Sequence, residues 1–109
     1  MRTRFESAHH ENVSGNPAGG TTRGTGFYIE WQNGPLMVNG TRVQPTGAFV
    51  EDVIAGAADR IRYYQTASGG KFACRQNALA ITKLEEALHW LHDRTEEREE
   101  RGVEGTHTP

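Results

Sequence analysis

The chain has a single cysteine, Cys74, and that scarcity closes several chemistries at once. One thiol makes no intrachain disulfide and offers no thiolate set for structural zinc, which takes several Cys or His ligands. Basic excess is missing too. The net charge is −2, which argues against a protein that coats polymeric nucleic acid. No apolar run approaches the roughly 18 residues that cross a membrane. The opening stretch MRTRFESAHHENV lacks the apolar centre of a signal peptide. A soluble, intracellular protein with no membrane partner is therefore expected, and the sequons at Asn12 and Asn39 have no secretory context. Apolar residues are scarce as well, at 35% with a mean hydropathy of −0.71. A chain of 109 residues with so little to bury has a thin core. Small proteins of this kind often complete one by self-association, so a homo-oligomer is the expectation.

Catalytic constellations are also lacking. The serines lie in loops outside any nucleophile elbow, and Cys74 has no convincing base nearby in the sequence. Glu96, Glu97, Glu99 and Glu100 alternate with arginines, which marks a solvated, ion-paired helix end more than a general acid/base pair. The run GNPAGGTTRGTG, Gly15 to Gly26, lacks the Gly-Lys-Ser/Thr ending of a P-loop. It reads as a connecting loop. His9-His10-Glu11 suggests a metal, but neighbours on an extended chain point to opposite sides, and no matching ligands appear elsewhere. No metal site and no cofactor are expected.

What is present divides into a sheet and two helices. Residues 1–14 are polar and suit an edge strand or an arm. Phe27 to Gln32 is β-branched and aromatic, the composition of a strand, with Phe27, Ile29 and Trp31 on one face. Asn33-Gly34 and Asn39-Gly40 are hairpin-turn dipeptides. Residues 27–44 therefore read as an antiparallel meander with a buried aromatic face. Pro45 ends it and Thr46 can cap the next helix. That helix is predicted over about 47–65, with Phe49, Val50, Val53, Ile54, Ala57, Ile61 and Tyr64 as its apolar stripe. Thr66 to Gly70 is a break, and a second helix follows over about 74–101. Ile81, Leu84, Leu88 and Leu91 step by three and four along it, the spacing of one face.

The fold class is thus α+β: a small N-terminal antiparallel β-sheet followed by a C-terminal antiparallel helical hairpin. Two regions are expected. Residues 1–45 hold the arm, glycine-rich loop and meander, and residues 46–109 hold the hairpin and a C-terminal tail.

Beyond Leu91 the second helix carries Arg94 and Arg98 where apolar residues would continue its stripe. At i and i+4 they project from one face, and two guanidinium forks fit a diphosphate. The competing reading is a surface ladder with pairs such as Glu97–Arg101. At the other end, Phe72 can stack on a base or staple the hairpin. Asn77 can read an adenine edge by the paired-amide logic of nucleic acids or bond backbone near the turn. Asn77 and Arg94 lie roughly 25 Å apart along one helix. No compact nucleotide touches both in one chain, so a site using both joins two antiparallel protomers. Folding at Gly69-Gly70 brings Arg94 back toward residues 42–46, so Arg42 joins Arg94 and Arg98 in such a pocket.

The stretches GAFVEDVIAGAADRIRYYQ, FACRQNALAITKLEEALHWL and RTEEREERGVEGTH resemble the phage anti-Thoeris sponge family. Its helical hairpin is shared with a phage anti-CBASS sponge. GTGFYIEWQNGPL is similar to the former's N-terminal sheet, so the resemblance covers nearly the whole chain. It implies non-catalytic capture of glycocyclic ADP-ribose, the signal made by TIR-domain enzymes, in the cytoplasm of the infected bacterial host. It also implies assembly as dimers or hexamers and, in some members, cyclic di- or trinucleotide binding at separate sites. By motif, Asn77, Arg94 and Arg98 match ligand-binding positions, with Arg42 beside them. The loop Thr66–Gly70 lacks the family's stacking aromatic, and Phe72 is the candidate replacement. Arg23 is the candidate for a second, cyclic-oligonucleotide site. The rivals are a phosphodiesterase-like enzyme using His9, His10 and Glu11, and a helical assembly adaptor with no small ligand.

Overall fold

The computed structural model describes residues 4–109; the first residues of the expected arm lie outside that range. The chain is α+β, with strands first and two helices after them. It divides into two compact units. One gathers the residues up to Phe49 together with Gly102–Pro109, and the other is Val50–Arg101.

In the first unit, β1 (Glu6–Glu11), β2 (Pro17–Gly24) and β3 (Phe27–Trp31) form one antiparallel sheet in that order. The glycine-rich run expected as a loop is therefore the central strand. Its glycines are there for close approach rather than for flexibility. A Cβ on Gly20 would collide with the Ala8 carbonyl of β1, and one on Gly24 would meet the Phe27 ring. A strand built this way has no alternating side-chain pattern to announce it. Its polar members still pair across the ladder: Thr22 Oγ1 shares a 2.8 Å hydrogen bond with Ser7 Oγ and accepts another at 2.8 Å from Trp31 Nε1.

The expected meander over 27–44 is replaced by two separate pairings. β3 pairs back onto β2, while β4 (Met37–Val38) and β5 (Thr41–Arg42) make their own hairpin. Asn39 and Gly40 turn it with φ of 51° and 77°, the two left-handed residues that a type I′ turn requires. The aromatic face of β3 is not buried as a whole: Phe27 remains 43% exposed. Thr46 does not cap a helix. Its hydroxyl accepts the Asn33 N–H at 3.0 Å, and its own N–H donates to Gln32 Oε1 at 2.9 Å. The Gln32 amide thus holds the 46–47 segment against the end of β3. Gly47 is needed there because a Cβ would come within 2.6 Å of the Glu30 carbonyl oxygen. The tail following Gly102, which the sequence placed with the helices, belongs to this unit. Met37 N–H donates to the Gly105 carbonyl at 2.9 Å.

In the second unit, α1 begins at Val50 and is helical up to a break at Ala67–Gly69, where Ser68 and Gly69 adopt φ of 53° and 68°. α2 runs over Arg75–Glu100. The two form an antiparallel hairpin tied by an Arg62–Glu85 ion pair at 2.7 Å. On α2 Ile81, Leu84, Leu88 and Leu91 are all half-buried, as their spacing predicts. On α1 Val53, Ile54 and Ile61 are half-buried as expected, while Ala58 and Gln65 take the inward places expected of Ala57 and Tyr64. Ala58 is fully buried, whereas Val50 and Tyr64 are 48% and 41% exposed. Positions 54, 58, 61 and 65 keep the helical period, and the expected set mixed that face with its neighbour. Among the described residues no large side chain is fully buried, the thin core that the composition implies.

Candidate functional site

Four of the candidate site residues, Phe72, Asn77, Arg94 and Arg98, lie along the hairpin, while Arg42 is in β5 and Arg23 in β2. α2 starts at Arg75 because Cys74 before it is extended, at φ −153° and ψ 161°. Phe72 sits just outside this start and is 55% exposed, with the Lys71 ammonium 5.4 Å from its ring centre. A hydrophobic staple would hide that ring. An exposed ring beside a cation is instead a platform on which a planar, electron-rich group can stack. Asn77 follows within the first turns of α2 and is half-buried.

At the opposite end of α2 the structure separates two residues that the sequence put on one face. The stripe Leu84, Leu88, Leu91 continues through Thr95 and Arg98, while Arg94 is exposed. A repeat alternating three and four lands on 95 and 98 after 91, so Arg94 falls beside the stripe. Thr95 keeps its hydroxyl satisfied by donating to the Leu91 carbonyl at 3.1 Å. Arg98 is 5% exposed, the one charged side chain buried among the described residues. The neighbouring Glu97–Arg101 pair forms at 2.6 Å, as the surface-ladder reading predicts. Arg94 takes no part in it.

Arg42 lies exposed in β5. Among the described residues no side-chain hydrogen bond or ion pair engages Arg42, Asn77 or Arg94. Helix geometry keeps Asn77 and Arg94 roughly 25 Å apart, so one chain cannot bring both to a mononucleotide-sized molecule.

Arg23 stands apart from all of these. It pairs with Glu6 at 3.2 Å across the β1–β2 ladder and lines an open cleft of about 450 Å³ with Arg4, Phe5 and Thr25. Next to it, partial desolvation and then the Glu30 carboxylate push the Tyr28 phenol above its ordinary value, while Arg23 pulls the other way. Among the described residues no group of three or more His, Cys, Asp or Glu side chains is placed to hold a metal. No helix there is long and apolar enough to cross a membrane.

Two features escaped the sequence reading. Arg60 lies 4.8 and 5.0 Å from the Tyr63 and Tyr64 ring centres. The hydrogen bond it donates to the Tyr64 hydroxyl is the main cause raising its pKa. Arginine three and four residues before two tyrosines is the signal that could have found it. The other is the Gln65 amide, which bonds both backbone groups of Cys74. No local pattern marks a glutamine that reaches across a turn.

Residues 29–96 match the family model described as Acb2/Tad1, hairpin domain. The chain belongs to this family. A curated relative, Thoeris anti-defense 1 of Bacillus phage SBSphiJ7, is 51% identical over 79 residues, covering 72% of this chain. The chain spans about half the length of that relative, 51% of it. The family match takes in Arg42, Phe72, Asn77 and Arg94 and leaves Arg23 and Arg98 outside it.

Proposed function

We propose that this chain is a non-catalytic sponge that binds a cyclic ADP-ribose isomer, glycocyclic ADP-ribose, and withholds it from Thoeris immunity in the cytoplasm of an infected bacterium. The observation that carries the reading is the 51% identity to a phage protein named Thoeris anti-defense 1. What supports it further is accessible groups of suitable chemistry on the hairpin and on β5. Arg94 and Arg42 offer guanidinium donors for a diphosphate, Asn77 offers an amide for adenine or ribose, and Phe72 offers a stacking face. Arg98, buried next to Arg94 on the helix, completes the basic end of the pocket and holds its wall. Binding then requires no nucleophile, metal or cofactor.

In this reading the pocket is shared between two chains, because α2 is too long for its two ends to meet one ligand. Arg94 and Arg98 come from one protomer, and Phe72 and Asn77 come from another lying antiparallel, in a dimer or a hexamer built from such pairs, with Arg42 as a further ligand-binding residue. The cleft at Arg23 favours a separate capacity. Arg4 and Arg23 on an open surface suit the phosphates of a cyclic di- or trinucleotide, independently of the hairpin.

The test is recovery. Protein is incubated with glycocyclic ADP-ribose until the free ligand is depleted, then heat-denatured, and the supernatant is analysed by mass spectrometry. A sponge returns the ligand intact and in proportion to the protein added. Conversion to a linear or hydrolysed product would establish an enzyme, and the rival set His9, His10 and Glu11 would then be substituted first.

A further inference from the structure

We propose that Gln65 is a positioning residue that fixes the ligand-facing edge of the hairpin turn, setting Phe72 relative to Asn77 through the backbone of Cys74. This rests on the sponge reading only for the identity of the ligand; the clamp itself is a feature of the ligand-free chain.

Gln65 is half-buried in the last regular turn of α1. Its Oε1 accepts the Cys74 N–H at 2.9 Å and its Nε2 donates to the Cys74 carbonyl at 3.1 Å. One side-chain amide thus makes both bonds that a paired strand residue would make, and holds Cys74 extended where α2 begins. The position needs such a clamp. Cys74 supplies no side-chain cap to α2, and the first N–H groups of a helix have no intrahelical partners. The connection before it is loose by composition: Ser68, Gly69 and Gly70 all have positive φ, at 53°, 68° and 89°. An Ala73 N–H to Gly70 carbonyl bond at 3.1 Å gathers the end of this turn.

Phe72 lies between the left-handed run and the clamped residue. Asn77 lies one turn beyond the clamp, on a helix whose first backbone bond there is Ala78 N–H to the same Cys74 carbonyl, at 3.2 Å. With Cys74 held from both sides, the ring and the amide stand at a fixed separation before any ligand arrives. Without Gln65 the turn keeps its reversal but loses its anchor at α2. The ordering of Phe72 then has to be supplied at the moment of binding, which weakens affinity without removing a contact.

The experiment uses the full chain with Gln65→Ala and Gln65→Glu. Amide hydrogen exchange is followed at Cys74 without ligand, and glycocyclic ADP-ribose affinity is measured by calorimetry in the Phe72 and Phe72→Ala backgrounds. Q65A is expected to speed exchange at Cys74 about tenfold while the middle of α2 keeps its protection. It is expected to weaken binding about tenfold when Phe72 is present, and less than about threefold in the F72A background. Q65E keeps the acceptor for the Cys74 N–H and loses the donor, so its exchange and affinity fall between those of Q65A and the parent. It also serves as the informative variant should Q65A fail to fold. Unchanged exchange at Cys74, or equal affinity losses in both backgrounds, overturns the proposal. If the parent chain binds no glycocyclic ADP-ribose the sponge reading fails and the ligand role of Gln65 with it, whereas fast Cys74 exchange in the parent shows that the clamp itself was wrong.

Discussion

Arg94 and Arg98 are one helical turn apart and differ in almost every physical respect. Arg94 is exposed and unengaged, whereas Arg98 is 5% exposed and has partners in the fold. A charge is tolerated in such a place only when it is paired and hydrogen-bonded, and among the described residues no buried side-chain polar atom lacks a partner. The same residue type therefore does two kinds of work. Arg94 is available to a ligand at little cost to the fold, and Arg98 shapes the end of α2 whether or not a ligand is present.

That contrast can be broken most forcefully at Arg94. Losing a charge-assisted bond to phosphate costs about 1.5–3 kcal/mol, so Arg94→Ala is expected to weaken glycocyclic ADP-ribose binding by roughly ten- to a hundredfold. Its melting temperature should stay within a degree or two of the parent, because no contact in the fold is lost. Calorimetry and a thermal melt on the same sample check both halves. A large fall in melting temperature would erase the distinction between the two arginines.

Arg98→Ala is expected to show the opposite balance. Removing a buried guanidinium from its partners costs about 1–3 kcal/mol, which lowers the melting temperature by several degrees in a unit of this size. Binding then weakens partly through a loosened helix end. Arg98→Lys recovers less stability than charge alone would return if the planar fork matters, and a melt of the three proteins side by side decides this.

Asn77→Ala removes a neutral amide and is expected to cost about tenfold in affinity, near the usual worth of one hydrogen bond, with the secondary structure unchanged by circular dichroism. Smallest of all is Arg23→Ala. Its ion pair with Glu6 has side chains 64% and 78% exposed, and such pairs contribute at most about 1 kcal/mol. Glycocyclic ADP-ribose binding should be unaffected. Any loss of cyclic di- or trinucleotide binding in the same variant would assign that separate capacity to the cleft.

The two units were not equally legible in the sequence. The hairpin announced itself, since Ile81, Leu84, Leu88 and Leu91 carry the helical period and Gly69-Gly70 marks the reversal. Period alone fixes a face to within about one residue, which is why Ala58 displaced Ala57 and Thr95 displaced Arg94. The sheet was harder. β2 is a strand because Gly20 and Gly24 let Ala8 and Phe27 come close, a reason visible only with the neighbouring strands in place. Thr46 looked like a helix cap until the Gln32 amide claimed it. Phe72 and Asn77 could be named as candidates from chemistry and resemblance. The clamp that sets them, Gln65 on Cys74, bridges residues that no local pattern joins.

The central claim is that opposite ends of α2 in two chains make one pocket, and complementation tests it most directly. Asn77→Ala and Arg94→Ala chains are prepared separately and as a co-expressed, tag-purified mixed assembly, and each is titrated with glycocyclic ADP-ribose. Each variant alone should bind weakly. The mixed pair should recover parent-like affinity at half of its sites, because one pocket of the pair then holds Asn77 from one chain and Arg94 from the other. A mixed assembly that binds no better than the separate variants would contradict the shared pocket.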